Sequence, residues 1–171
     1  DVRAECQVSA YERQSRLKQN PTTVVISGRR TSGRSTLAYG LERRLFDLGY
    51  FAVVVDDSDK RYGTTSTDHA IESARRLNDV GLICILCTDT QTHEQQSTIE
   101  EAVGSHRVRH VALNTSEDLC TQWYGSTEKR PFDAYEPPSN TLYSADLGNE
   151  EIEVAVRKIC EAMHQAGILL D

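Results

Sequence analysis

The chain has 171 residues, enough for one domain around one core. It is 38% hydrophobic and 26% charged, ordinary for a globular protein. Its net charge of −7 argues against a general nucleic-acid or membrane-surface binder, which would carry a basic surplus. No apolar run approaches the ~20 residues that span a bilayer.

The start, "DVRAECQVSA", lacks the apolar stretch of a signal peptide, and its first residue is Asp rather than Met, as in an excised domain. Of five cysteines, Cys84, Cys87 and Cys120 lie in or beside apolar segments. Reduced, packed thiols and a cytoplasmic location are the expectation. Cys84-x-x-Cys87 has the spacing of a redox or metal pair, but it falls inside a strand-like run and no second pair supports it.

In chain order, "SAYE" (Ser9 to Glu12) reads as a capping box opening a short polar helix that stops before Pro21. Residues 1–20 are expected to form an arm or linker, and 21–171 the folded domain. "TTVVIS" (22–27) reads as a buried strand. After a Gly-rich loop, "STLAYGLERRLFDLG" sets Leu37, Leu41, Leu45 and Leu48 at helical spacing, with Gly49 as the stop. "YFAVVVDD" (50–57) reads as a second buried strand ending in acids.

"DHAIESARRLNDVG" (68–81) reads as a helix with Ala70, Ile71, Ala74 and Leu77 on one face, followed by the strand "LICILC" (82–87). A polar helix (92–104), a strand (109–114) and a short helix (116–124) capped by Ser116 come next. Residues 125–140 hold three of the four prolines and read as loop. A weaker strand (141–146) precedes a last helix (149–167), capped by Asn149 and ended by Gly167. This alternation predicts an α/β fold: a five-stranded, mostly parallel sheet with helices on both faces, in three α/β/α layers.

The loop carries the chemistry. Gly28, four residues, then Gly33-Arg34-Ser35 has the outline of the phosphate-binding pattern G-x-x-x-x-G-K-S/T, between a strand and a helix as that loop requires. Its backbone N–H groups and the helix N-terminus suit an anion. Gly28, Ser32, Gly33, Arg34, Ser35 and Thr36 are the candidate phosphate-binding residues, with Ser35 placed to meet a magnesium ion. Arg34 is the departure. Its forked, planar charge binds phosphate, but tracks a transferring phosphoryl group less well than the compact lysine ammonium. Arg29 and Arg30 either clamp a polyanion or are solvated. The bland reading is a Gly-rich β–α turn with no ligand.

On these residues the sequence resembles adenylylsulfate (APS) kinase, most of all the kinase-like domain fused behind the large subunit of bacterial ATP sulfurylase. Where that family reads G-L-S-G-S-G-K-S-T, this chain reads Gly28-Arg29-Arg30-Thr31-Ser32-Gly33-Arg34-Ser35-Thr36. The resemblance implies a P-loop NTPase-like fold, Mg-ATP as cofactor, and phosphorylation of the APS 3′-hydroxyl to give PAPS. The family's D-G-D-N-V-R-H-G motif corresponds to Asp56 through Gly63, so Asp56 and Arg61 become the candidate catalytic residues. Ser58 stands at the family's second acid, and a serine cannot replace a carboxylate as base or metal anchor.

The segment after Gly63 lacks the family's substrate motifs, with Arg75 and Arg76 reading as a solvated helix face. Thr90, Gln91 and His93 stand at the Ser, Pro and Arg of a family I-S-P-F-R stretch. The basic lid is contracted to "YGSTEKRP", with Lys129 and Arg130 as its basic remnants, and "FDAYEPP" echoes a family I-D-D-P-Y-E-A-P.

Three functions follow. One is a degenerate APS kinase-like domain of sulfate activation, acting by nucleotide binding, assembly or regulation. The second is an active kinase with Arg34 in the lysine's place and Asp89 as an acid at the end of the third strand, though Asp89 reads more simply as a solvated turn residue. The third is a ligand-free scaffold. The partners implied are ATP, ADP, APS or PAPS, a fused or associated ATP sulfurylase GTPase subunit, and a second copy in a homodimer, with no nucleic acid and no membrane. Trp123 and Tyr124 read as core or lid packing before base stacking. His93 and His106 read as solvated, and His110 as structural.

Overall fold

The computed structural model describes residues 4–59, 66–124 and 135–171. Arg61, Lys129 and Arg130 lie outside the described residues. Helix α1 (Ala10–Leu17) opens on the expected capping box, in which Ser9 accepts from the Glu12 N–H and Glu12 reaches back to Ser9. The end of the arm is built into the domain. The buried Gln19 amide donates to the carbonyls of Phe51 (2.8 Å) and Gly81 (3.0 Å) and accepts from the Phe51 N–H.

Strands β1 (Thr23–Ser27), β2 (Ala52–Asp56), β3 (Ile83–Cys87), β4 (Val108–Leu113) and β5 (Tyr143–Ala145) form one sheet in the order β2-β3-β1-β4-β5. Every pairing is parallel. Helices α2 (Arg34–Asp47) and α6 (Ile152–Gln165) pack on one face, around Val24, Ile26, Ile85, Leu41 and Ile159. On the other face, α3 (Thr67–Asp79) and α4 (His93–Val103) pack around Val25, Leu86, Ile71 and Ile99. Helix α5 (Glu117–Tyr124) follows β4. The expected three-layer architecture is the one observed. Among the described residues no helix is long and apolar enough to cross a membrane.

Three local expectations are corrected. Strand β2 was expected to be buried but is the sheet edge, and Val53 within it and Phe51 just before it are exposed. An unbroken apolar run suits a strand covered on both faces, and nothing in it encodes a missing neighbour. Leu48 is 43% exposed, at the C-cap position that closes α2. The N-cap position of the last helix is Glu151, which makes no side-chain cap bond, rather than Asn149, whose side chain donates to Asp146 (2.7 Å).

The β2 edge is partly masked by its own chain. The Val54 N–H donates to the Glu42 carboxylate at 2.6 Å. This covers an outward donor that would otherwise invite another strand. Replacing Glu42 with alanine is expected to lower stability by about 1–2 kcal/mol, as for other lost charge-assisted bonds, in urea denaturation.

Cys84 and Cys87 point into opposite core layers, as i and i+3 on a strand must, so they form no joint site. Burial holds the Cys87 thiol up at about 12, which keeps it protonated at neutral pH.

Candidate functional site

The loop leaves the sheet at its centre, where β1 ends at the buried Ser27. Gly28 is enclosed: a Cβ there would stand 2.8 Å from Ser32 Oγ and 3.0 Å from Leu113 Cβ. Gly33 has φ +97°, and a Cβ there would stand 2.9 Å from Leu147 Cδ1. The pattern's two glycines are therefore favoured by tight space at the first and by the left-handed backbone at the second.

Thr31, where the family pattern has a third glycine, also adopts a left-handed conformation (φ +58°). For a β-branched residue this costs about 1–2 kcal/mol. Its hydroxyl lies 2.6 Å from the Arg30 carbonyl and 3.0 Å from the Cys120 carbonyl, and the second contact ties the loop to α5.

No side chain caps the N-terminus of α2, so its first N–H groups face the loop. The Ser32 hydroxyl is fully buried and has no hydrogen-bond partner among the described residues. An orphaned hydroxyl, glycines that keep space open and an uncapped helix start are the features that a bound phosphate would complete.

The acid at the end of β2 meets the loop's serine. Ser35 Oγ donates to Asp56 Oδ2 at 2.8 Å, while the Ser58 N–H (2.9 Å) and hydroxyl (2.6 Å) donate to Asp56 Oδ1. A serine hydroxyl and a carboxylate held together form the oxygen donor set suited to magnesium beside phosphate. Ser58 thus serves as a turn residue that orients Asp56. Asp57 accepts from Thr88 and points away from this pair.

The arginines do something the sequence did not show. Arg34 Nη1 donates to the Thr88 carbonyl at 2.8 Å, and its Nη2 lies 3.9 Å from Asp89 Oδ1. Arg30 Nη2 lies 3.4 Å from Asp89 Oδ2. Asp89 is therefore a partly exposed turn residue, as expected, and also the shared counter-ion of two loop arginines. The Arg29 guanidinium sits over the Tyr135 ring, 5.7 Å from its centroid. Neither Arg29 nor Arg30 is simply solvated.

Two features were missed in the sequence. The Tyr135 hydroxyl is buried beside Ser27 without a hydrogen bond of good geometry, and burial raises its pKa. Its signal was present in the "DAYEPP" echo of the family. The segment is anchored by Glu136, whose carboxylate accepts from the His93 N–H at the start of α4 (2.7 Å), and by Pro137, whose carbonyl lies 2.9 Å from His93 Nε2. His93 is exposed, as expected, and also serves as a docking point for this segment.

The second feature is a cavity of about 690 Å³ beside the loop, lined by Gly33, Thr36, Trp123, Leu147 and Ile152 among others. Trp123 is 48% exposed on its wall, not in the core. Gly28, Ser32, Gly33, Arg34, Ser35, Thr36 and Asp56 are gathered at this end of the sheet. His110, as expected, is structural: it is buried, with Nε2 2.7 Å from Glu100.

The fold and this loop can now be compared with known proteins. No protein-family profile matches the chain. The bifunctional enzyme CysN/CysC of Rhodopirellula baltica is 26% identical over 186 aligned positions, which cover 95% of this chain and 29% of that protein. The adenylyl-sulfate kinase of Vibrio cholerae is 25% identical, covering 95% of this chain and 86% of that one.

The chain resembles the adenylylsulfate kinases. Among solved structures, the Mycobacterium tuberculosis APS kinase CysC, in complex with AMPPNP and APS, superposes with a TM-score of 0.67 at 19% identity, covering 85% of this chain and 99% of that one. The architecture is that of the P-loop kinases. The APS kinase-like chain spans under a third of the bifunctional relative's length.

Proposed function

We propose that this chain is an APS kinase-like domain of sulfate activation that binds an adenine nucleotide at the Gly28–Thr36 loop and is impaired in phosphoryl transfer. One observation carries the impairment: the cation at the lysine position, Arg34, is held by the Thr88 carbonyl and Asp89 instead of lying along the loop. Ser58 at the family's second acid supports the same reading. Positioning is most of what a phosphotransferase contributes, so a withdrawn cation and a missing carboxylate weaken the chemistry before they weaken binding.

The loop N–H groups and Ser32 would hold the phosphates, Ser35 and Asp56 the magnesium ion, and the Trp123 cavity the base. Bound magnesium would neutralise phosphate charge. ATP, ADP, APS and PAPS are the ligands this reading admits. An ATP sulfurylase GTPase subunit, fused or associated, and a second copy of the chain are the proposed partners.

Trp123 is the chain's single tryptophan, so its fluorescence reports on this cavity. ATP is expected to change that emission saturably, while a coupled assay for PAPS detects no turnover above background. Turnover that disappears in Arg34→Ala would overturn the impairment. Unchanged fluorescence together with no heat in calorimetric titration would overturn the binding.

A second reading, an active APS kinase, is favoured by the 2.8 Å contact between Ser35 and Asp56. The PAPS assay decides between the two.

A further inference from the structure

Asp89 follows β3, in the loop that meets the phosphate-binding loop at the carboxyl end of the sheet. One of its oxygens faces each arginine: Oδ2 lies 3.4 Å from Arg30 Nη2, and Oδ1 lies 3.9 Å from Arg34 Nη2. Arg34 is well covered, at 16% side-chain exposure, and is pinned on its other side by the Thr88 carbonyl. Asp89 itself is 39% exposed, so its carboxylate has room to swing away. The nearby loop keeps a fully buried Ser32 hydroxyl that has no hydrogen-bond partner among the described residues.

We infer that Asp89 determines the loop's specificity: it is a resident carboxylate that occupies one edge of the Arg30 and Arg34 guanidinium groups and yields that edge to a polyphosphate but not to a small anion, while Arg34 stays anchored on the Thr88 carbonyl. This rests on the reading of the loop as a phosphate site.

The physical reason is exchange. A monovalent or compact anion offers the two guanidinium groups little that the Asp89 carboxylate does not already give them, and it must displace a group tethered beside them. A chain of phosphoryl groups carries more charge, spans both arginines at once, and reaches the α2 N-terminus and Ser32 as well. The tethered carboxylate thus sets a threshold of charge and length that the incoming ligand must exceed. It also lowers the affinity of every ligand that does exceed it.

The test uses inorganic tripolyphosphate, inorganic sulfate and ATP, titrated calorimetrically into the whole chain at low salt. For Asp89→Asn, which keeps the side chain's shape, tripolyphosphate and ATP are each expected to bind about fivefold more tightly, the scale of released, partly exposed ion pairs. Sulfate binding is expected to become measurable only in the variant. Asp89→Ser is expected to behave in the same way, and so guards against an effect peculiar to asparagine.

In the Arg30→Gln/Arg34→Gln background, adding Asp89→Asn is expected to give no gain, because the groups it releases are gone. A gain of equal size in that background would show a general field effect and overturn the inference, as would a variant that binds no more tightly than wild type. If neither wild type nor any variant binds tripolyphosphate or ATP, the phosphate-site reading falls and this inference falls with it. If wild type binds and Asp89→Asn shows no gain, only the inference falls.

Discussion

In the Asp56→Ala variant, magnesium is expected to stop strengthening ATP binding. Asp56 is the hub of the polar contacts at the end of β2: it accepts from the Ser35 hydroxyl and from both the N–H and the hydroxyl of Ser58. Magnesium takes hard oxygen donors, and beside a nucleotide it is usually held by one or two protein groups plus phosphate oxygens. With Asp56 removed, Ser35 alone is too weak a donor. Wild type is expected to bind ATP at least about tenfold more tightly with magnesium than with EDTA, a difference of about 1.4 kcal/mol. The variant is expected to show no such difference. The three donors it leaves behind are close to solvent, so the melting temperature should change little. Calorimetric titration with and without EDTA, beside a thermal melt, reads both quantities. A magnesium effect that survives in the variant would remove Asp56 from the proposed metal site.

Leu41→Ala is expected to cost about 3 kcal/mol of stability, the most damaging of the substitutions considered. Leu41 is fully buried in the layer between the sheet and α6, about two turns into α2. Close packing there leaves a cavity when three methyl-sized carbons are lost. For a chain of this size, the expected fall in melting temperature is about 6–12 °C. Leu48→Ala is the matched control. Leu48 continues the same heptad-like spacing but is 43% exposed, and its loss is expected to cost under about 0.5 kcal/mol. Equal costs at the two sites in urea denaturation would mean that α2 does not end where the structure ends it.

That pair of leucines shows how far the sequence could be read. Helical spacing identified the buried face of α2 through Leu45, because the pattern and the packing share a period of 3.6 residues. It failed at Leu48, the C-cap residue, which is exposed at the helix end. Strand β2 was recognised as a strand but not as an edge, since an apolar run has the same composition in either place. The glycines of the loop were legible because their backbone demands are local. Thr31 was not, because its left-handed backbone is held by a carbonyl 89 positions away.

The site divides in the same way. Ser35 and Asp56 were each named in advance, from motif positions. Their contact joins residues 21 apart and exists only because α2 begins beside the end of β2. The resemblance to the APS kinases was likewise carried by short strings of residues, and the comparisons support it. What the sequence by itself determined is the order of strands and helices, the phosphate-loop outline and the substitution of arginine for lysine at position 34. What only the tertiary structure decided is where that arginine points. Thr88 and Asp89 lie 54 and 55 positions beyond it and are brought beside it by the parallel pairing of β1 with β3. A charge is local to the sequence, but its partner is chosen by the fold.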